Sequence, residues 1–222
     1  MTDRDPETPT GNLAAESVAA GDPAGWFEPL YAAAAHGNGV VPWDRKAPHP
    51  LLVEWAEQRN LDGHGKRALV VGCGLGDNAE YLAALGFDTV AFDISTTAIR
   101  SAQQRFPDSQ VTYRTADLFH PPAGWNEHFD LVVEIYTVQA LPESYHREAS
   151  HHVGQMVVPG GTLIVIMAAR EEADKRQGPP WPLTRAELEA FAASGLQTVR
   201  IEDLPTGEQP FARHWRAEYL RP

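Results

Sequence analysis

The sequence is poor in cysteine and in positive charge, and each shortage excludes a class of protein. Cys73 is the only cysteine among 222 residues, which excludes an internal disulfide and a cysteine-based zinc site. Lysine and arginine number 18 against 30 aspartates and glutamates, giving a formal net charge of −12. Phosphate backbones are bound by clustered basic residues, and no basic run is present, so we expect no nucleic-acid partner.

Long apolar runs are also missing. The longest, Thr162–Ala169, has the length of a strand, whereas a membrane helix needs roughly 18 apolar residues. The N-terminal stretch carries charges such as Asp3 and Arg4 and lacks the apolar segment of a signal peptide. We therefore expect a cytoplasmic enzyme, a monomer or homodimer without a membrane partner, that acts on a small molecule.

The composition divides the chain into a leader and a body. Residues 1–22 are rich in Pro, Thr, Asp, Gly and Ala, which predicts a flexible N-terminal leader. Residues 23–222 are expected to form a single domain that begins with a helical segment, 23–62. Within this segment Trp26 and Leu30 share a helical face, and a second helix is predicted over His49–Asn60.

After residue 66 the chain alternates short apolar strands with helices. The predicted strands are Arg67–Val71, Thr89–Asp93, Val111–Thr115, Phe129–Ile135, Thr162–Ala168, Gln197–Asp203 and His214–Leu220. The predicted helices are Asp77–Leu85, Thr96–Phe106, His146–Met156 and one that begins with a capping box at Thr184. This alternation predicts a mostly parallel α/β sheet with helices on both faces, closed at one edge by an antiparallel hairpin.

A glycine-rich loop follows the first strand and opens a helix. Gly72-Cys73-Gly74-Leu75-Gly76 is typical of a loop that holds a nucleotide-type ligand over a helix N-terminus. Asp93 ends the next strand, where a carboxylate can accept both ribose hydroxyls. A dinucleotide fingerprint would place glycine at position 77, but Asp77 stands there and would repel a pyrophosphate. S-adenosylmethionine, with its cationic sulfonium and amino group, is therefore favoured over NAD.

Acidic residues also follow the next two strands. Asp117 could accept from an adenine amino group while Leu118 covers the ring, and Glu134 would lie beside the reacting centre. Because ligands of open α/β sheets bind at the carboxyl ends of the strands, we expect these acids to lie together. The cofactor contacts predicted from these motifs are Gly72, Cys73, Gly74, Gly76, Asp77, Asn78, Asp93, Ile94, Ser95, Asp117, Leu118 and Glu134.

Together with Pro159-Gly160-Gly161, these motifs resemble those of class I S-adenosylmethionine-dependent methyltransferases. Within that superfamily the chain resembles the thiopurine methyltransferases and the plant halide/thiol methyltransferases. The narrower likeness rests on Val41-Pro42-Trp43-Asp44, Arg67-Ala68-Leu69-Val70, Ala140-Leu141-Pro142 and Gly178-Pro179-Pro180-Trp181. It implies a Rossmann-like, seven-stranded, mostly parallel sheet with an antiparallel C-terminal strand, S-adenosylmethionine as cofactor and S-adenosylhomocysteine as product.

The resemblance also implies that segment 23–62 closes over the cofactor. Trp26 and Trp43 would then contact its methionine part, with Asp44 near the polar end. The alternative is that both tryptophans only pin the N-terminal helix to the core.

The expected acceptor wall differs from that of the plant enzymes. Where they carry an Asp-Tyr pair followed by aromatics, this chain has Glu134-Ile135 followed by Tyr136-Thr137-Val138-Gln139. Tyr136 and Gln139 would make the wall polar, which argues against a halide acceptor. We expect a thiol or similar soft nucleophile. The alternatives are an O- or N-methyltransferase of a larger natural product, a non-catalytic S-adenosylmethionine-binding protein, and an NAD-dependent oxidoreductase.

No catalytic base is identified by spacing. A thiol acceptor of low pKa needs no base, whereas an oxygen acceptor would need one. The candidates for this base are Tyr136, His36 and His120. His146, His151 and His152 do not share a helical face, so no metal site is expected.

Overall fold

The computed structural model describes residues 9–174, 178–207 and 211–222. Helices α1 to α7 span Pro9–Ala19, Phe27–Ala35, Pro50–Gln58, Asp77–Ala84, Thr96–Arg105, Glu143–Gln155 and Arg185–Ala192. Strands β1 to β7 span Arg67–Val71, Asp88–Asp93, Thr112–Thr115, Phe129–Ile135, Val157–Ala168, Gln197–Pro205 and Arg213–Leu220. A 3₁₀ turn, Val138–Ala140, follows β4. Over the described ranges, no helix combines the length and apolarity that crossing a membrane requires.

The strands form one seven-stranded sheet in the order β3-β2-β1-β4-β5-β7-β6. The neighbours from β3 to β5 are parallel, and β7 runs antiparallel to both β5 and β6. The predicted fold class is therefore confirmed, including the antiparallel pair at the end of the chain. The last strand lies inside the sheet and leaves β6 at the edge.

Both faces of the sheet are covered, as its unbroken apolar strands predict. Along β4, Leu131 and Val133 belong to one buried cluster while Val132 belongs to the other. The first cluster is covered by α3, α4 and α5, and the second by α6 and α7. Since side chains alternate between faces along a strand, this division places helices on both sides of the sheet.

Three segments differ from their predicted structure. Residues 9–19 of the expected flexible leader form α1, and Ala14 is buried in a cluster with Trp26 and Leu30; residues 1–8 lie outside the described ranges. The Pro159-Gly160-Gly161 turn is instead a register shift within β5, which already pairs with β4 at Val157. Helix α6 begins three residues earlier than predicted, at Glu143.

A buried arginine joins the closing strands to the N-terminal part of the chain. Arg216 on β7 is only 2% exposed. Its guanidinium donates to the carboxylate of Glu202 on β6 at 2.8 Å, and to the carbonyl of Leu51 and the carboxylate of Glu54 on α3 at 3.0 and 3.2 Å. The Arg216 side chain thus joins β6 and β7 to α3.

We expect Arg216→Met to lower the free energy of unfolding by about 3 kcal/mol, because it leaves Glu202 without its buried partner. Arg200→Met is the matched control, since Arg200 pairs with the same carboxylate at 2.7 Å but is 59% exposed. Its loss should stay below about 1 kcal/mol. Urea unfolding of the three proteins measures both values, and equal losses would contradict the assignment.

Candidate active site

A cavity of about 450 Å³ lies at the carboxyl ends of the parallel strands. Small-molecule sites span roughly 300–1,000 Å³, and this sheet edge is where open α/β folds bind ligands. The wall is built from the loops that follow β1, β2, β3 and β4, and from the N-terminal segment before α3.

The glycine loop after β1 is shaped by packing within the protein. Gly74 has φ of +53°, and a Cβ there would lie 2.9 Å from the hydroxyl of Tyr31. Gly76 has φ of +97° and is the N-cap residue of α4, where a Cβ would overlap the hydroxyl of Tyr113. Both positions need a residue without a side chain and with left-handed backbone freedom. Gly74 lines the cavity, whereas Gly76 lies behind the wall.

Asp93 fastens this loop to the end of β2. Its Oδ2 accepts from the N–H of Gly74 and its Oδ1 from the N–H of Ser95, both at 2.9 Å. The carboxylate is buried, lines the cavity, and has its pKa raised to about 6 by burial against the lowering effect of the two N–H groups. Asp93, which is predicted to accept the ribose hydroxyls, therefore also holds the glycine loop in place.

Asp117 lies in the cavity wall beside two apolar side chains. Its carboxylate accepts from the N–H of Phe119 at 2.9 Å and contacts Nδ1 of His120 at 2.7 Å. Leu118 is buried, and Ile94 is 38% exposed although it lines the cavity. An acceptor for an amino group thus stands next to surfaces on which an aromatic ring can pack. His120, a candidate base, lies outside the cavity wall.

Arg105, at the end of α5, bridges two carboxylates in the cavity wall. Its guanidinium donates to Asp44 at 2.8 and 2.9 Å and to Asp77 at 2.9 Å. Hydrogen bonds from Arg105 hold the pKa of Asp44 below its usual value, whereas burial raises the pKa of Asp77. Asp77 therefore lies in the cavity wall with its charge partly neutralised by the guanidinium of Arg105.

An aromatic cluster from the N-terminal segment covers one side of the cavity. Trp26 stacks on Phe27 at 4.1 Å, and Trp43 meets Trp26 edge-on at 6.0 Å between ring centroids. The indole N–H of Trp43 donates to the hydroxyl of Tyr31 at 2.9 Å. The indole nitrogen of Trp26 is buried and has no hydrogen-bond partner within the described part of the chain. These rings pack on one another and also line the cavity. Their contact with the methionine part of a cofactor stays a prediction.

The N-terminal segment binds α5 at both of its ends. At its N-terminus, Glu28 on α2 accepts from the hydroxyls of Ser95 and Thr97 at 2.5 and 2.6 Å and from the N–H of Thr97 at 3.0 Å. At its C-terminus, Asp44 pairs with Arg105. A carboxylate at a helix N-terminus also meets the positive end of the helix dipole. Two carboxylates, one at each end of α5, therefore hold the segment that carries the aromatic cluster.

Glu134, which was expected beside the reacting centre, does not line the cavity. It is fully buried and outside the cavity wall, and its Oε1 accepts from the N–H groups of Thr137 and Val138 at 2.7 and 2.9 Å. Burial raises its pKa to about 8. Its neighbour Ile135 lines the cavity instead, since consecutive strand residues face opposite sides. Glu134 therefore stabilises the turn after β4, in which Tyr136 has φ of +65°.

Three rings from distant parts of the chain meet at Tyr136. Its hydroxyl lies 2.9 Å from Nε2 of His49 and 2.6 Å from Nε2 of His214. Nδ1 of His214 lies 3.1 Å from the hydroxyl of Thr206. All three rings line the cavity, and both histidines are buried. Asn78 on α4 accepts from the N–H of His49 at 2.8 Å, which ties this ring cluster to the glycine loop.

Gln139 has a largely structural position. Its Oε1 accepts from the N–H of Ala168 at 2.7 Å, and its backbone carbonyl accepts from Trp181 at 2.6 Å. It lines the cavity with only 1% exposure. The oxygen that was expected to make the acceptor wall polar is therefore engaged by β5.

Most of the predicted residues share this cavity. Those in its wall are Trp26, Trp43, Gly72, Cys73, Gly74, Asp77, Asn78, Asp93, Ile94, Asp117, Leu118, Tyr136 and Gln139. Those outside it are His36, Gly76, Ser95 and Glu134. The sequence reasoning missed Tyr31, His49, Phe211 and His214 in the wall and Arg105 behind it. A histidine immediately before the proline that starts α3 was the available signal for His49.

Within the described ranges, no three His, Cys, Asp or Glu side chains are grouped so that they could hold an ion. Cys73 is buried, and burial together with the nearby Asp93 raises the pKa of its thiol well above the usual value. A thiol in that state is a poor nucleophile.

Known proteins share both the fold and the sequence pattern. The family model for thiopurine S-methyltransferase matches residues 33–216. A probable thiol methyltransferase 2 of Arabidopsis thaliana is 29% identical over 74% of this chain and 73% of its own length. A thiocyanate methyltransferase 1 of Brassica oleracea is 28% identical over 76% and 74%.

Among solved structures, the N-methyltransferase NodS from Bradyrhizobium japonicum WM9 in complex with S-adenosyl-L-homocysteine has a TM-score of 0.68 at 22% identity, over 88% of this chain and 99% of that one. A structure from work on the conversion of a disulfide bond into a thioacetal group in echinomycin biosynthesis has a TM-score of 0.71 at 21% identity, over 87% and 91%. These structures support the fold. The family model matches most of the chain, including most of the residues that line the cavity. The protein is therefore a member of the thiopurine S-methyltransferase family of S-adenosylmethionine-dependent methyltransferases.

Proposed function

We propose that this enzyme transfers the methyl group of S-adenosylmethionine to the sulfur of a small thiol. One observation carries the proposal: the glycine loop, Asp93, Asp117 and the ring cluster around Tyr136 all line the same cavity. A cofactor and an acceptor bound in one cavity can be held in contact with each other in the orientation that the transfer needs. The thiol and thiocyanate methyltransferases among its relatives support a sulfur acceptor.

The cavity wall fits this cofactor. Asp93 would accept the ribose hydroxyls, and Asp117 the adenine amino group, with Ile94 and Leu118 against the ring. When bound, S-adenosylmethionine supplies a methyl group already activated by its sulfonium. The triad of Asp44, Arg105 and Asp77 has a formal charge of −1 and suits the amino group of the methionine part. The buried indole N–H of Trp26, without a partner among the described residues, suits its carboxylate.

The acceptor end favours a small molecule. Pro179, Pro180 and Phe211 line the cavity there together with His49, Tyr136 and His214. Rigid apolar side chains exclude water, while the few polar ring atoms can orient one reactive group. Segment 23–62, anchored through Glu28 and Asp44, would serve as the lid over both ligands.

A panel of acceptors tests the proposal directly. The enzyme is incubated with labelled S-adenosylmethionine and with thiols, thiocyanate, phenols, amines or halides, and label transfer to each product is measured. We expect alkyl thiols to give the highest kcat/KM. Preferred methylation of phenols or amines would overturn the sulfur assignment, and slow cofactor turnover unaffected by any acceptor would indicate a binding protein.

The role of Asp93 is tested by comparing the two aspartates of β2. Asp93→Asn loses the charge that accepts from Gly74 and would accept from the ribose. A hydrogen bond to a charged group is worth about 1.5–3 kcal/mol, so the Kd for S-adenosylhomocysteine should rise about 10- to 100-fold. Asp88→Asn, at the exposed start of the same strand, should leave the Kd unchanged. Titration calorimetry measures both, and equal effects would contradict the assignment.

Cofactor binding should weaken in acid. Donors on the ligand favour the ionised form of Asp93, whose pKa without ligand is about 6. Below that pH the carboxyl must lose a proton on binding, so the Kd should rise by up to about tenfold per pH unit as the pH falls, and should level off above 7. Asp93→Asn has no proton to lose and should lack this step. A wild-type Kd that is constant between pH 5 and 8 would contradict the prediction.

A further inference from the structure

The ring cluster around Tyr136 belongs to a hydrogen-bond chain whose direction is fixed at both ends. At one end, the N–H of Leu51 donates to Nδ1 of His49 at 3.3 Å. At the other, the hydroxyl of Thr206 donates to the carbonyl of Phe211 at 3.2 Å. A backbone N–H can only donate and a carbonyl can only accept, so each end allows one arrangement of protons.

The protons between these ends follow. Because Nδ1 of His49 accepts, its proton is on Nε2 and is donated to the Tyr136 oxygen. The one proton of the Tyr136 hydroxyl is then donated to Nε2 of His214. His214 carries its proton on Nδ1 and donates it to Thr206. Both imidazoles are thus neutral with defined tautomers, and His214 presents an unprotonated nitrogen to the tyrosine.

We propose that Tyr136 and His214 form a proton relay that ionises the thiol acceptor in place, with His49 as a positioning residue that orients the tyrosine. This inference rests on the proposed function. Both rings line the cavity; we assign contact with the acceptor to Tyr136, and His214 accepts the proton of its hydroxyl. His214 is buried, at 1% exposure, and the Thr206 hydroxyl accepts from its Nδ1, which stabilises the imidazolium against the cost of burial.

Ionisation of the acceptor moves two protons. The S–H of the acceptor gives its proton to the Tyr136 oxygen while the hydroxyl proton passes to Nε2 of His214, which leaves a thiolate, a neutral tyrosine and an imidazolium. An electron pair of the thiolate sulfur forms the new bond to the methyl carbon, and the methyl–sulfonium bond breaks to give S-adenosylhomocysteine. His214 returns its proton through Tyr136 to water after the products leave.

Such a relay is needed only for acceptors that bind with their proton. A thiol with a pKa near 8.5 is ionised to only about a few per cent at pH 7. An acidic aromatic thiol and thiocyanate are already anions and have no proton to give. The relay therefore predicts a dependence on the pKa of the acceptor, which a purely structural role of the same residues does not.

The test compares Tyr136→Phe and His214→Gln with the wild-type enzyme, using an alkyl thiol and an aromatic thiol that is fully ionised at the assay pH. General base catalysis contributes about 10²-fold or more, so kcat/KM for the alkyl thiol should fall by about that factor in both variants. For the ionised thiol it should change less than about threefold. His36→Gln is the matched control, since His36 is exposed and outside the cavity, and should leave both values unchanged.

Two measurements decide the proposal without turnover. In wild-type protein with ¹⁵N-labelled histidine, NMR should find His49 protonated on Nε2 and His214 on Nδ1. With S-adenosylhomocysteine in place of the cofactor, a chromophoric thiol should titrate at lower pH when bound to the wild type than to either variant. Retained affinity for S-adenosylhomocysteine confirms that the variants are folded.

Equal losses for both thiols, no loss for either, the opposite tautomers, or an unchanged titration of the bound thiol would each overturn the relay. A failure of the proposed function looks different, because the wild type would then methylate neither thiol. The NMR and titration results would still decide whether the relay exists.

Discussion

Asp93 ends β2 with a carboxylate that accepts a backbone N–H from Gly74 on one oxygen and from Ser95 on the other. This pair of bonds sets the position of the glycine loop, and the loop sets the start of α4 at Gly76. From α4, Asn78 accepts the N–H of His49. The buried carboxylate of Asp93 is thereby connected, through the glycine loop and α4, to the ring cluster around Tyr136. Its raised pKa, about 6, reflects the cost of burying a charge that two N–H groups only partly offset.

The second constraint is the attachment of the N-terminal segment to α5. Glu28 binds the beginning of that helix and Asp44 its last residue, Arg105. Both contacts involve carboxylates in a chain with a net charge of −12, and both place them where positive charge is available, at a helix N-terminus and at a guanidinium. The aromatic cluster of Trp26 and Trp43 is held between these anchors and lines the cavity.

The sequence predicted the fold, because alternation of strands and helices and the glycine loop are local patterns. It also predicted Asp93, the last residue of β2, and Asp117, two residues beyond β3, at the sheet edge where both line the cavity. Glu134 shows the limit of that rule, because it precedes the last residue of β4 and therefore faces the interior, beneath the turn that presents Tyr136. Arg105 and His214 could not be found, because their partners lie 61 and 78 residues away in the chain. Only the order of the strands, with β7 inserted beside β5, brings His214 to the cavity.

The charges of the cavity wall explain why the acceptor should arrive neutral. Asp44, Asp77, Asp93 and Asp117 line the cavity, against Arg45 in the wall and Arg105 behind it. An anion entering a site of this sign is opposed by the field of the wall and of the whole acidic protein, whereas a protonated thiol is not. Ionising the thiol only after it has bound removes this conflict, since the proton moves to a buried imidazole and the new negative charge forms next to the cationic cofactor. The carboxylates proposed to bind the cofactor and the neutral rings proposed to meet the acceptor are therefore complementary parts of one electrostatic arrangement.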